Sequence, residues 1–182
     1  MQGNWGELIL ERVLEKSGLE KGREYEVQQS FTTEDGSRVQ PDVVINLPDG
    51  KKMIVDSKVS LTAYERYVNE EDEDSKDSFL KEHVNSIKRH VEQLGNKNYQ
   101  DLYQIESPDF VLLFIPMEPA FAIALNEDNT LYNKAFEKNI VIVTPSTLLA
   151  TLRTIDSMWT NQKQQENAYE IARQAGALYD KF

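Results

Sequence analysis

The first 60 residues combine one amphipathic helical pattern with three short β-type patterns. Apolar residues recur at helical spacing over residues 4–17, and Gly18 follows as a helix terminator. Alternating or continuous apolar segments typical of strands then occupy residues 25–31, 39–47 and 52–59. The turn signals Asp35-Gly36 and Pro48-Asp49-Gly50 separate these segments. The pattern predicts a helix followed by a three-stranded meander.

The middle of the chain predicts helices around two buried strands. Helical patterns cover residues 60–68 and 78–94, and Gly95 is expected to end the second helix. The segments 110–115 and 140–143 are continuously apolar, with one helical stretch between them. Such segments are typical of parallel strands in a sheet that is covered on both faces. The predicted fold class is therefore α/β, with a mixed β-sheet flanked by helices.

A last helix is predicted from the segment Thr144-Pro145-Ser146 to the end of the chain, with Ser146 or Thr147 as its N-cap. From about residue 162 it becomes polar and rich in glutamine, and no stop signal follows. We therefore expect a single domain over residues 1–182, with a helical C-terminal extension that leads to a region missing from this sequence.

Composition adds the expectation of a cytoplasmic location. The chain has 182 residues, 40% of them hydrophobic, and no apolar run approaches the roughly 20 residues that span a bilayer. The first twenty residues lack the apolar centre of a signal peptide. Cysteine is absent, which excludes disulfides and thiolate metal sites. Trp5 and Trp159 are expected to be packing residues.

The charge argues against tight non-specific binding of nucleic acid. Twenty Lys and Arg residues face 31 Asp and Glu residues, which gives a net charge of -11. A domain that held DNA mainly by neutralising phosphates should be basic on at least one face. Part of the acidic excess lies in residues 70–74, which we expect to be a solvated loop. Divalent cations at a carboxylate site would offset further repulsion, so the charge does not exclude DNA cleavage.

Asp42 and Asp56 flank a predicted hairpin at nearly equal distances from its turn, Asp49-Gly50. If the hairpin closes there, the two carboxylates lie close together across the strand pair. Two close carboxylates repel each other unless a cation joins them. Since cysteine is absent and histidine is scarce, Mg²⁺ or Mn²⁺ fits better than zinc. Taken alone, Asp42 is an ordinary turn residue; together with Asp56 it predicts a metal site.

Lys58 and Glu7 are candidates to complete this site. Lys58 shares a strand face with Asp56, where it could orient or deprotonate a water, or stabilise transition-state charge. A strand-end salt bridge is the alternative for Lys58. Glu7 and Glu11 share a helix face, and Gly6 favours Glu7 as a third carboxylate because it permits close backbone approach. Otherwise Glu7 is a first-turn acid and Glu11 faces solvent.

His83 and His90 lie seven residues apart on one face of the helix predicted at 78–94. Without further His or Cys residues, they do not suggest a zinc site. Lys88, His90 and Lys97 are candidates to contact DNA phosphates. The simpler expectation for both histidines is an exposed helix face.

The pair Pro41-Asp42, the triplet Asp56-Ser57-Lys58 and an acid on the preceding helix resemble the PD-(D/E)xK nuclease superfamily. The whole chain, in turn, resembles the RmuC family of bacterial DNA recombination proteins. The segments that carry this resemblance are NWGEL (4–8), QPDVVI (40–45), VDSK (55–58), HV (83–84), HV (90–91), Leu94, KNY (97–99), FIPME (114–118) and TPSTLL (144–149). They extend over nearly all of residues 3–182.

The resemblance implies a restriction-endonuclease-like fold and a metal-dependent deoxyribonuclease that acts in DNA recombination or limits rearrangement at repeats. It places Asp42, Asp56 and Lys58 at the superfamily motif and Glu7 at its helix carboxylate; Glu7, Asp42 and Asp56 would bind Mg²⁺ or Mn²⁺. It also implies that full-length members carry an N-terminal membrane anchor and a coiled coil, absent here, through which they could form homo-oligomers. Competing hypotheses are a module that binds DNA or a protein without cleavage, and a structural domain whose function lies in the coiled coil.

Overall fold

The protein is described by a computed structural model for residues 2–27, 31–32, 38–39, 42–57, 60–96 and 110–180. The helices are α1 (Gln2–Lys16), α2 (Thr62–Asn69), α3 (Glu73–Asn96), α4 (Glu118–Glu127), α5 (Leu131–Glu137) and α6 (Pro145–Asp180). The strands are β1 (Tyr25–Val27), β2 (Phe31–Thr32), β3 (Arg38–Val39), β4 (Val43–Asn46), β5 (Lys52–Asp56), β6 (Val111–Phe114) and β7 (Ile140–Val143).

A five-stranded mixed sheet forms the centre of the molecule, in the order β1-β4-β5-β6-β7. Strands β1, β4 and β5 are antiparallel, whereas β6 and β7 continue the sheet in parallel. The predicted meander and the predicted parallel pairing are thus confirmed. The predicted strand at 39–47 is wrong in its extent: β3 pairs with β2 in a separate two-stranded sheet, and only β4 joins the main one.

Each face of the sheet is covered by helices, which produces two hydrophobic cores. Since side chains alternate along a strand, Val43 and Val55 face α1 and α6, whereas Val44 and Ile54 face α3, α4 and α5. All four are at most 2% exposed. Burial on both faces explains why these strands are almost continuously apolar.

Helix α3 is longer than the sequence predicts at both of its ends. It begins at Glu73, so the end of the acidic run 70–74 forms its first turn and not a loop. Acidic side chains are favourable there because they interact with the helix dipole. Asp72 caps the start of the helix, because its Oδ2 accepts hydrogen bonds from the hydroxyl and the N–H of Ser75. These two hydrogen bonds lower the pKa of the Asp72 carboxyl. At the other end, Gly95 lies inside the helix, which continues to Asn96.

Helix α6 begins after a cap that the sequence analysis misplaced. Thr144 precedes the helix, and its N–H donates to Oγ1 of Thr147 at 2.8 Å. Thr144 is therefore the N-cap, and neither Ser146 nor Thr147 takes that position. The helical stretch predicted between β6 and β7 consists of two helices, α4 and α5.

The two halves of α6 differ in their surroundings. The first half packs into the core through Leu148, Leu152 and Ile155, and Trp159 donates from Nε1 to the Asn46 carbonyl at 3.0 Å. Every side chain from residue 163 to 178 is exposed. Trp5, expected to be a packing residue like Trp159, is 40% exposed. No helix in the described ranges combines the length and the apolar character needed to cross a bilayer.

Candidate functional site

The candidate site lies at the sheet edge where β4 begins and where β5, β6 and β7 end. The hairpin of β4 and β5 pairs Val43 with Val55 and turns at Gly50, whose φ is 85°. Asp42 directly precedes Val43 and Asp56 directly follows Val55, so both aspartates lie at the same end of the hairpin. In open α/β sheets, ligands bind outside the carboxyl ends of the strands. The two aspartates therefore lie where the architecture favours a ligand.

Asp42 is held in place by the neighbouring strand of its own hairpin. Its Oδ2 accepts the N–H of Ser57 at 2.8 Å and the hydroxyl of Ser57 at 3.3 Å. Both residues are buried, with exposed fractions of 7% and 8%. A buried carboxylate that accepts a backbone N–H makes a strong, directional hydrogen bond. Ser57, which sequence reasoning passed over between Asp56 and Lys58, is thus part of the site.

Asp56 is fully buried and lies on the sheet face that α3 covers. Nε2 of His90 on α3 lies 3.4 Å from Oδ1 of Asp56. The expectation that His83 and His90 lie on an exposed helix face is wrong. His83 is 0% exposed and the His90 side chain only 17%, because they share the face of α3 that Ile87 packs onto the sheet. The apolar periodicity of α3 already indicated this face.

Glu7 and Glu11 lie on the other side of the sheet. Together with Asp42 they line a pocket of about 120 Å³, which also has an apolar lining. The apolar residues are Leu10, Leu14, Val27 and Val43. Both glutamates are exposed, so the structure does not distinguish the preferred Glu7 from Glu11. Gly6 is buried, and a Cβ there would lie 3.5 Å from Cγ of Pro116, an ordinary van der Waals contact, so the packing does not require glycine at this position.

The carboxylates thus divide between the two faces of the sheet. Asp42 lies near Glu7 on the side of α1, whereas Asp56 contacts His90 on the side of α3. Among the described residues, no group of three or more His, Asp and Glu side chains is arranged to hold one metal ion. At this end of the hairpin, Asp56 contacts the imidazole of His90, and Asp42 lines the same pocket as the carboxylate of Glu7.

The predicted basic residues of the site have different placements. Lys58 and Lys97 lie outside the described residues. Nζ of Lys88 forms an ion pair with Oδ2 of Asp128 at 2.7 Å. The hydrogen bond from Lys88, followed by those from Thr130, lowers the pKa of the Asp128 carboxyl. Lys88 therefore already has an acidic partner between α3 and the end of α4.

A second polar contact at this sheet edge was not predicted. Glu118 follows β6, and its Oε1 accepts the N–H of Ser146 at 3.0 Å and the hydroxyl of Ser146 at 2.8 Å. Partial burial acts to raise the pKa of Glu118, but hydrogen bonds from Thr144 and Ser146 outweigh it and leave the pKa lowered. Glu118 and Ser146 are 28 residues apart, so no helix or strand periodicity could have predicted their contact. The sequence indicated them only in that both lie in segments that carry the family resemblance.

These features define an α/β domain with a buried aspartate pair at the edge of a mixed sheet where its parallel strands end. The sequence model of the RmuC family matches residues 1–182, and the chain belongs to this family. It is 56% identical over 181 residues to the DNA recombination protein RmuC homolog of Pseudomonas aeruginosa and 51% identical over 181 residues to that of Vibrio cholerae. It is 49% identical over 181 residues to DNA recombination protein RmuC of Escherichia coli. Each alignment covers 100% of this chain but only 40%, 35% and 38% of the respective relative.

Proposed function

We propose that this domain is a Mg²⁺- or Mn²⁺-dependent nuclease that hydrolyses DNA phosphodiester bonds in the course of DNA recombination. The observation that carries the proposal is the placement of two buried aspartates at the end of the β4–β5 hairpin, where Asp42 precedes Val43 and Asp56 follows its partner Val55. The association with DNA recombination rests on the names of the relatives, which are called DNA recombination proteins.

The donor set fits a hard divalent cation. Mg²⁺ is usually held by one or two carboxylates, and waters and substrate phosphates complete its coordination. Asp42 and Asp56 therefore suffice without a third protein ligand. Once bound, such an ion lowers the pKa of a water ligand and polarises the phosphodiester.

The residues around the pair have separate tasks in this proposal. Ser57 holds the Asp42 carboxylate in one orientation. Lys58, two positions after Asp56, orients the attacking water or stabilises the charge that develops on the phosphate. Glu7 adds a carboxylate at the pocket that Asp42 also lines.

The order of elements supports a restriction-endonuclease-like fold as part of the same proposal. Helix α1 precedes three antiparallel strands, β1, β4 and β5. Helices α2 and α3 then lead to β6, which is parallel to β5. Asp42 directly precedes the second strand of this series and Asp56 ends the third, which agrees with the placement that the superfamily resemblance implies.

The alternative is a domain of the same architecture that binds DNA or a protein partner and does not cleave. Its support is the net charge of -11 and the lack, among the described residues, of three or more His, Asp and Glu side chains arranged around one cation. The ion pair between Lys88 and Asp128 also favours the alternative, because it leaves less positive charge to bind the phosphates of a DNA substrate.

Cleavage assays with point variants test the proposal. Linear, circular and branched DNA are incubated with Mg²⁺ or Mn²⁺ and the wild type, Asp42→Asn, Asp56→Asn or Lys58→Ala. We expect each variant to lower the cleavage rate by roughly 100-fold or more, because each removes a charge from the reacting centre. Asp49→Asn is the matched control, since Asp49 is exposed at the opposite end of the same hairpin, where its Oδ1 accepts the N–H of Lys51 in the turn.

Equal cleavage by the wild type and Asp56→Asn, or no cleavage by either, would refute hydrolysis by this domain. Retained DNA binding by Asp56→Asn, with no cleavage by the wild type, is the result expected for the alternative. Binding of Mn²⁺, measured by titration, should weaken in Asp42→Asn and remain unchanged in Asp49→Asn.

A further inference from the structure

We propose that His90 is a positioning residue that orients the Asp56 carboxylate for cation binding. This inference rests on the proposed function, since it assigns His90 a role at the same site. Nε2 of His90 lies 3.4 Å from Oδ1 of Asp56, and both side chains are largely removed from solvent. Nε2 of the imidazole thereby faces the carboxylate at the end of β5, and in the tautomer protonated at Nε2 it donates to Oδ1.

The position of His90 is fixed by the packing of α3 and not by its contact with Asp56. Ile87 and Val91, on either side of it along the helix, are 0% and 5% exposed and pack against the sheet. These apolar contacts hold the helix in its register on the sheet. His90 therefore presents its ring to Asp56 from a rigid support, which is the requirement for a residue that orients another side chain.

The distance suits an orienting role. A contact of 3.4 Å is at the long end for a hydrogen bond and makes a modest contribution to stability. Its directional effect remains, because Oδ1 is the Asp56 oxygen that faces His90 on α3. Hydrogen bonds at active sites are often long without the ligand and shorten when it binds.

The two aspartates are thus held by different parts of the fold. The Ser57 N–H orients Asp42 from within the hairpin, at 2.8 Å. His90 orients Asp56 from a helix that covers the sheet. Groups that hold metal ligands in place through hydrogen bonds commonly change metal affinity by about 10- to 100-fold when they are removed. The same effect is expected of His90.

His83 provides a matched control on the same helix. It lies two helical turns before His90, is fully buried, and its Nε2 lies 2.8 Å from the carbonyl of Ala120. Both histidines thus contact an oxygen atom from the buried face of α3. Only His90 contacts an aspartate of the candidate site. Loss of His83 should change stability and leave the cation site intact.

The test compares the Mn²⁺ affinity of the wild type, His90→Leu, His90→Gln and His83→Leu. His90→Leu should weaken Mn²⁺ binding about tenfold or more. His90→Gln should recover most of the affinity, because its amide can donate from nearly the same place. His83→Leu should bind Mn²⁺ like the wild type, even if it unfolds more easily. Equal affinity of His90→Leu and the wild type overturns the role of His90.

Two spectroscopic measurements on the wild type keep the inference falsifiable if His90→Leu does not fold. In the metal-free protein, ¹⁵N NMR should show a proton on Nε2 of His90; a ring protonated only on Nδ1 overturns the proposal. With Mn²⁺ bound, pulsed EPR should show no directly coordinated imidazole nitrogen at His90, since such a signal would make it a ligand.

The outcomes also separate this inference from the proposed function. A wild type that binds Mn²⁺ but does not cleave DNA refutes hydrolysis and leaves the role of His90 intact. A wild type that cleaves DNA, with Mn²⁺ affinity unaffected by His90→Leu, refutes the role of His90 alone. A wild type that binds no Mn²⁺ refutes both.

Discussion

At the scale of single residues, His83 shows how burial changes the chemistry of a side chain on α3. Its ring lies 5.5 Å from the Tyr64 ring, between centroids, and it is fully buried. Desolvation lowers the pKa of His83, and the hydrogen bond to the Ala120 carbonyl opposes this only in part. Nδ1 has no hydrogen-bond partner among the described residues. The folded protein therefore favours the neutral imidazole.

We predict that His83 makes the protein less stable in mild acid. Below the ordinary pKa of 6.5 the unfolded chain binds a proton at this position, whereas the folded protein resists it. The free energy of unfolding should therefore fall as the pH drops below about 6.5, by at most about 1.4 kcal/mol per pH unit from this group. Urea denaturation at pH 7.5 and pH 5.5 measures the change.

His83→Gln serves as the reference for this prediction, since it cannot titrate in this range. The His83→Gln variant should lose less free energy of unfolding than the wild type between pH 7.5 and pH 5.5. Above pH 7.5, titration of His83 should change the stability of neither protein. Parallel losses in the two proteins would show that other groups cause the acid sensitivity.

At the scale of elements, the ends of β6 and β7 are joined through the helices that follow them. Glu118 in the first turn of α4 accepts hydrogen bonds from both the N–H and the hydroxyl of Ser146 in the first turn of α6. The carboxylate thereby satisfies an N–H at a helix start and interacts favourably with the helix dipole. This contact fixes the relative position of two helices on opposite faces of the sheet.

We predict that Glu118→Ala lowers the free energy of unfolding by about 1 kcal/mol, as loss of a helix cap does. Ser146→Ala should cost less, because its backbone N–H still reaches Glu118. The double variant should not be additive, since both changes affect one contact. Urea denaturation measures all three, with Glu127→Ala, at the exposed end of α4, as the control. Additive losses would contradict the contact.

At the scale of the whole molecule, α6 extends beyond the part that stabilises the domain. Its core contacts end near Trp159, and all side chains of residues 163–178 are exposed. Three of them are large and apolar. These are Tyr169, Ile171 and Leu178. A helix segment without tertiary contacts contributes little to folding stability, because helix propensity alone is a weak force.

We predict that removal of the chain after Gln162 changes the free energy of unfolding by less than about 0.5 kcal/mol, the usual range for surface changes. Removal after Arg153 should destabilise the domain severely, since it deletes the buried Ile155 and the Trp159 hydrogen bond to Asn46. Thermal unfolding followed by circular dichroism distinguishes the two. A large loss with the shorter deletion would mean that the exposed segment stabilises the fold.

The sequence by itself determined the features that depend on local chain geometry. The periodicity of apolar residues located α1 and the parallel strands β6 and β7, because each pattern repeats with the geometry of its own element. The turn before Lys51 set the register that pairs Val43 with Val55 and so leaves Asp42 and Asp56 at the same end of the hairpin. These relations hold within short stretches of chain, so they can be inferred without knowledge of the packing.

Only the tertiary structure decided which distant side chains meet at the sheet edge. His90 reaches Asp56 because apolar packing sets the position of α3 on the sheet, and Glu118 meets Ser146 because two parallel strands end side by side. Glu7 lies across the sheet from Asp56, since α1 packs on the opposite face. Such contacts depend on how elements far apart in the chain pack together, and no local pattern encodes them. The position of Asp42 and Asp56 at one end of the hairpin was therefore predictable, whereas the contacts that Ser57 and His90 make with them were not.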